Sequence, residues 1–237
     1  TCKIYLSGDV DELLLAKVEE LFGSARWGCE TQQTMHYGGL PTHIPIVDGA
    51  VGTSVNRSWE GAVQDSVRMG TLLMDVNHPD YLPMRVLTTV LGGYFGSRLM
   101  KNVRETKGYT YHIGADLVTS MPQVMFVVHC EAQAGKAEEV IEEVRREMLR
   151  LQNEPVPDEE LRMVRNYMTG EICRNYESAF SLSDAYIFMD HLGLPNTHIE
   201  DTLEVISATD SAQLQRLAQC YLQPERLHSV VVGPGVH

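Results

Sequence analysis

Nothing in this sequence is apolar for long enough to cross a membrane as a helix. The longest apolar runs are short, as at residues 124–128, whereas a span needs about 20 residues. An excess of basic residues is missing too. Asp and Glu number 32 against 19 Lys and Arg, for a formal charge of −13. Such a surface repels a phosphate backbone, so nucleic acid is not an expected partner. Closely spaced cysteines are also absent. Cys2, Cys29, Cys130, Cys173 and Cys220 are odd in number and far apart. That argues against a zinc knuckle or a disulfide framework and for buried free thiols. Unpaired thiols suit a reducing compartment, so the cytoplasm is favoured, although the sequence does not fix the location. No basic stretch followed by an apolar one opens the chain. Thr1 leads straight into the apolar stretch at residues 3–6, an abrupt start expected of a fragment or a processed piece of a longer protein.

What remains is ordinary material for a globular fold: 237 residues, 43% hydrophobic and 22% charged, enough for a sizeable core. Residues 2–7 read as a strand turned by Gly8 and Asp9. Residues 11–22 read as an amphipathic helix built on Leu13, Leu14, Val18, Leu21 and Phe22 and ended by Gly23. Residues 28–45 are polar and rich in turn formers, including Gly38-Gly39. The expected organisation is therefore a β-α remnant of a preceding homologous domain at 1–28, a linker at 29–45 and a second domain at 46–237.

Within that second domain the pattern is α+β. Strands are expected at 47–59 and 62–74, and a helix at 81–91 interrupted by Gly92-Gly93. A second helix is expected at 97–107, capped by Ser97 and closed by Gly108. A hairpin follows at 110–119 and 123–131. Helices are then expected at 136–153, 157–174, 176–191 and 199–205. Another, capped by Thr209 or Asp210, runs to Tyr221, and a closing strand occupies 228–232. The fold expected is a two-layer α+β sandwich, an antiparallel sheet with helices packed on one face.

The most specific stretch runs from Leu91 to Tyr111. Its second helix brings Arg104 close to the start of the strand that carries Tyr111, with Tyr109 and Tyr111 expected on one face of that strand. An arginine fork and a phenol hydroxyl so placed donate hydrogen bonds to peptide carbonyls without reading side chains. The alternative is structural: Arg104 paired with a carboxylate such as Glu105, and Tyr111 in the core. Arg98 admits the same two readings, a further peptide contact or an ion pair at the helix start.

This stretch resembles the second-domain signature of the pitrilysin/insulinase family of inverted-motif zinc peptidases, whose short members carry LGG, SRL and REKxGLxY in succession. Leu91, Gly92, Gly93, Ser97, Arg98, Leu99, Arg104, Glu105, Lys107, Gly108 and Tyr111 fall on that pattern, and Tyr109 stands where leucine is usual. Gln64, Val67, Met69 and Gly70 resemble the family's Q-x-x-hydrophobic-x-hydrophobic-G strand. The likeness covers about residues 59–233. It implies a LuxS/metallohydrolase-like peptidase fold in which Arg104 and Tyr111 bind substrate carbonyls and the substrate adds as a strand to a sheet edge.

The family's zinc site requires H-x-x-E-H on a helix. No two of the nine histidines are four residues apart, and the nearest cluster, His129-Cys130-Glu131, has the wrong spacing. The resemblance thus implies no cofactor in this chain. Zinc is expected in a partner, either a homologous domain of the same polypeptide or a separate subunit, in a homo- or hetero-dimer that takes unfolded peptides. The chain alone is expected to be inactive. The competing function is an inactive structural or assembly subunit, like the processing-peptidase or respiratory-complex core proteins that resemble this family. An unrelated α+β enzyme is disfavoured, since no nucleophile elbow, phosphate loop or dinucleotide fingerprint is present. Tyr176 and Tyr186 are further chamber candidates, with core or surface as the plainer assignment.

Overall fold

The computed structural model describes residues 3–23, 51–119 and 123–235. Helix α1 (Glu12–Phe22) is followed by strands β1 (Ser54–Ser58) and β2 (Gln64–Asp75), then α2 (Tyr81–Thr88). A π-helical turn at Thr89–Gly93 and a π-helix at Met100–Thr106 precede the strands β3 (Thr110–Thr119) and β4 (Gln123–Gln133). Five helices come next: α3 (Ala137–Asn153), α4 (Asp158–Asn175), α5 (Ala179–Leu192), α6 (His198–Ala208) and α7 (Ser211–Tyr221). Strand β5 (His228–Gly233) closes the order.

The sheet runs β1-β5-β2-β4-β3. The expected α+β class and single helix-covered face are both present. Four strands pair antiparallel, while β1 joins β5 in parallel at one edge, Ser54 opposite Ser229. This parallel edge departs from a wholly antiparallel sheet. Helices α2 to α7 and strands β2 to β4 all lie between β1 and β5, so the connection is far longer than the crossover that a parallel pair needs.

One face of the sheet is buried by alternation: Val67 and Met69 on β2, Val124, Phe126, Val128 and Cys130 on β4, Ile113 and Ala115 on β3. Val140, Val144, Met148 and Leu151 form the matching stripe of α3, and Leu214 and Leu217 that of α7. Asp65 fastens α3 to the sheet, its carboxylate accepting the backbone N–H groups of Gly135, Lys136 and Ala137 at 2.7, 3.2 and 3.3 Å. Burial raises the Cys130 thiol above its usual pKa. Asp210, not Thr209, caps α7 by accepting the Gln213 N–H at 2.8 Å.

Residues 3–7 form no strand, contrary to expectation. A strand needs a hydrogen-bonded neighbour, and among the described residues none lies beside this segment. It docks on α5 instead, where Lys3 and Tyr5 both bond to Asp190 and the Tyr5 ring meets Tyr186 edge-on at 6.1 Å. Helix α1 forms as expected behind its Asp11 cap, yet none of its residues is buried, and Leu13 is 78% exposed. The expected strand at 47–59 is confined to Ser54–Ser58 within the described part. Residues 47–50, the 29–45 linker and the end of the 1–28 segment lie outside the described residues. Among the described residues, no helix is long and apolar enough to cross a membrane.

Candidate functional site

The site is assembled at edge strand β3 by two departures from regular structure. The first is helical. Gly92 sits where a Cβ would fall 2.6 Å from the backbone nitrogen of Ala115 on β3, so only glycine lets this turn press against the strand. The segment expected as an ordinary helix at 97–107 winds as a π-helix from Met100 to Thr106, which swings its last residues relative to α-helical spacing. Ser97 does not cap it through its side chain; its buried hydroxyl has no hydrogen-bond partner among the described residues. Gly108, at φ +67, then reverses the chain into β3, as its sequence position suggested.

The second departure is in β3 itself. Thr110 pairs with Ala132 but Ile113 pairs with Cys130, so three steps on β3 face two on β4. This is a one-residue bulge. Thr110 stitches it: its hydroxyl oxygen accepts the His112 N–H at 3.1 Å and lies 2.7 Å from the Glu131 carbonyl, to which it donates. The bulge breaks the alternation expected of Tyr109 and Tyr111. Tyr109 packs partly buried against the core, with Lys136 Nζ 5.5 Å from its ring centroid, while Tyr111 is 83% exposed.

These features bring Arg104 and Tyr111 together. The guanidinium carbon of Arg104 lies 5.2 Å from the centroid of the Tyr111 ring and 4.4 Å from that of Phe95. The side chains of Arg104 and Tyr111 make no hydrogen bond to another described residue, and Arg104 forms no ion pair among them, with Glu105 or any other carboxylate. Their side-chain donors are therefore free of competing acceptors among the described residues.

Arg98, only six residues earlier, has the opposite environment. It holds Glu160 through Nε at 3.0 Å and Nη2 at 2.9 Å, with side chains only 12% and 16% exposed. Its role is the ion pair at the helix start. It also borders a cleft of about 570 Å³ whose Lys107, Glu143, Arg146 and Glu147 are already engaged with one another or with Asn102 and Arg150.

The uncovered sheet face carries the remaining candidates. His129 Nε2 lies 2.8 Å from an Asp116 carboxylate oxygen and its ring is 5.7 Å from that of His112. Glu131 accepts from Arg68 at 2.7 Å and from Ser66 at 3.0 Å. Cys130 points into the core between them. The His129-Cys130-Glu131 cluster is thus dispersed by strand alternation, and among the described residues no three His, Cys, Asp or Glu side chains converge as a metal site requires. The described side chains do not fit zinc. Tyr186 is exposed against Tyr5, and Tyr176 borders a separate hollow with Met189 and His198. Burial lowers the pKa of His198.

Phe95 escaped the sequence reading. It follows Tyr94 between Gly93 and Gly96, and only the fold separates the exposed Phe95 ring from the packed Tyr94 ring.

Residues 1–168 match the family described as the peptidase M16 inactive domain. The chain belongs to that family. The resemblance to pitrilysin/insulinase-type zinc peptidases, and to their second domain, is thereby borne out. An uncharacterized zinc protease of Mycobacterium leprae is 26% identical to this M16 domain over 157 residues, 64% of this chain and 34% of that protein. The uncharacterized zinc protease YmxG of Bacillus subtilis is 26% identical over 108 residues, 46% of this chain and 26% of that protein. The chain therefore spans about a third or less of the curated relatives it matches.

Solved structures share the fold. A peptidase M16 inactive domain from Pseudomonas fluorescens superposes with a TM-score of 0.70 at 21% identity, covering 82% of this chain and 47% of that one. A protease from Helicobacter pylori gives 0.79 at 15% identity, covering 96% and 54%. A chain of Complex III2 from Candida albicans gives 0.66 at 11% identity, covering 81% and 50%.

Proposed function

We propose that this M16 inactive domain is the peptide-gripping half of a zinc peptidase, in which Arg104 and Tyr111 hold substrate carbonyls while a zinc-bearing partner cuts. The observation that carries this reading is the pair itself: two strong donors side by side, a half-buried Arg104 and an exposed Tyr111 at edge strand β3, their side chains unclaimed by any described acceptor. A structural arginine and tyrosine would be engaged, as Arg98 is. Main-chain recognition by such a pair, with strand addition at β3, tolerates many sequences and suits unfolded peptides.

Zinc and its activated water belong to the partner in this reading, since neither the histidine spacing nor the described side chains suit the metal. The partner is either a homologous domain preceding this one in the same polypeptide or a separate subunit, forming a homo- or hetero-dimer. Residues 1–28 then represent the tail of a homologous preceding domain, and 46–237 the second domain. The bare apolar residues of α1 support this reading, since a helix of this composition gains stability only when another surface covers it.

A second reading is an assembly role without catalysis. The fold shared with a chain of Complex III2 supports it, while the two unengaged donors favour the first.

The test is binding of a fluorescent unstructured peptide to the full-length or reconstituted protein with its zinc removed. Arg104→Ala is expected to weaken binding about tenfold or more, and Tyr111→Phe about threefold, from loss of hydrogen bonds to carbonyls. Wild-type affinity in both variants would leave the assembly role.

A further inference from the structure

Two consecutive aromatic residues part company in the loop between the π-helical segments. Tyr94 turns inward, its ring 5.1 Å from that of Tyr167 and packed against the core. Phe95 turns outward and is 64% exposed, with the Arg104 guanidinium carbon 4.4 Å from its ring centroid. Gly96 permits the divergence, because a Cβ there would come within 2.8 Å of the Tyr94 ring.

We propose that Phe95 is a positioning residue for Arg104: its ring holds the guanidinium over the mouth of the site without occupying the N–H groups that a peptide carbonyl needs. This rests on the reading of Arg104 and Tyr111 as the peptide grip. A long arginine side chain loses considerable freedom when it is fixed, so an unrestrained Arg104 binds a carbonyl less tightly than a pre-set one. A carboxylate would fix it, but would also take its donors. An aromatic ring attracts the cation through its π face and accepts none of the conventional hydrogen bonds. Phe95 is the nearer of the two rings over which Arg104 lies. The farther ring belongs to Tyr111, whose hydroxyl has its own work on the substrate. The exposure of Phe95 has the same explanation, for its ring serves the cation and not the core.

The experiment compares Phe95→Leu, Phe95→Trp, Arg104→Ala and the Phe95→Leu/Arg104→Ala double variant in the complete zinc-containing enzyme. It reads KM and kcat on an unstructured peptide, and thermal stability. Phe95→Leu is expected to raise KM about 2- to 5-fold, the worth of one exposed cation–π contact, with Tm within about 2 °C of wild type. Phe95→Trp should keep the wild-type KM, and the double variant should be no worse than Arg104→Ala alone. A wild-type KM for Phe95→Leu beside an impaired Arg104→Ala would overturn the role of Phe95 and leave the grip standing. Equal impairment by Leu and Trp, or a further loss in the double variant, would show that Phe95 acts other than through Arg104. An unimpaired Arg104→Ala would remove the grip and this proposal with it.

Discussion

Arg104 and Tyr111 stand seven residues apart in sequence, on opposite sides of a chain reversal at Gly108, yet the guanidinium carbon of one lies 5.2 Å from the ring centroid of the other. The approach depends on the π-helix before Gly108 and the bulge after it. Some residues therefore build this corner, such as Gly92 and Thr110, while the side chains of Arg104 and Tyr111 are left unengaged by described acceptors there, and mutations should sort the same way.

Arg98 and Arg104 give the sharpest contrast. Arg98→Ala strands Glu160 in a site where both side chains are mostly buried. Breaking such a pair costs about 3–5 kcal/mol, which for a domain of this size lowers Tm by roughly 6–20 °C. Arg104→Ala removes a half-buried side chain with no ion pair among the described residues and is expected to shift Tm by less than about 2 °C. Thermal melts of the two variants side by side check this, and equal losses would make Arg104 a structural residue.

Gly92→Ala tests the seating of the π-turn on β3. The added Cβ would meet Ala115 at 2.6 Å, on both its Cβ and its backbone nitrogen, so a strand would have to move. Overpacking of this kind costs about 1–3 kcal/mol. Because Ala115 lies four residues beyond Tyr111 on the same strand, peptide affinity should fall together with stability. Denaturant melts and peptide titration of the same variant measure both.

Asp80 joins α2 to α7. Hydrogen bonds from Arg216, at 2.6 and 3.3 Å, hold its carboxyl below the usual pKa against the opposing effect of burial, and the Tyr221 hydroxyl adds a third bond at 2.8 Å. Burial, followed by that same bond, pushes Tyr221 up to about 12. A depressed carboxyl stabilises the fold above its unfolded pKa of about 3.9 and loses that contribution as pH falls through the lower folded value. Asp80→Asn should therefore melt below wild type at pH 5–7, with the gap closing as the pH drops below about 4. A gap that is constant with pH would mean that the carboxylate charge is not what binds α7.

Much of this was legible in the chain. Apolar spacing located α1, a capping residue located the start of α7, Gly108 marked the reversal, and the motif from Leu91 to Tyr111 covers the corner where Arg104 and Tyr111 meet. The bulge was not legible, because it depends on Thr110 bonding to the Glu131 carbonyl across the hairpin, a contact with no local sequence signal. The same limit hid the π winding, since Ser97 to Gly108 has the capping pattern of an ordinary helix. The parallel β1–β5 edge joins segments about 175 residues apart, and short polar strands such as Ser54–Ser58 carry little alternation to read. Residues 2–7 had a strand's composition, but a strand is defined by its neighbour, which composition does not supply.

A domain that grips peptides for a zinc-bearing partner should cut nothing by itself and should matter to cleavage by the assembly. Hydrolysis of a quenched unstructured peptide, by this chain alone and by the chain joined to its zinc-bearing partner, tests this most directly. The expected result is no cleavage by the chain alone, chelator-sensitive cleavage by the assembly, and kcat/KM reduced about tenfold or more when the assembly carries Arg104→Ala. Cleavage by the chain alone, or an assembly indifferent to Arg104→Ala, would contradict the account.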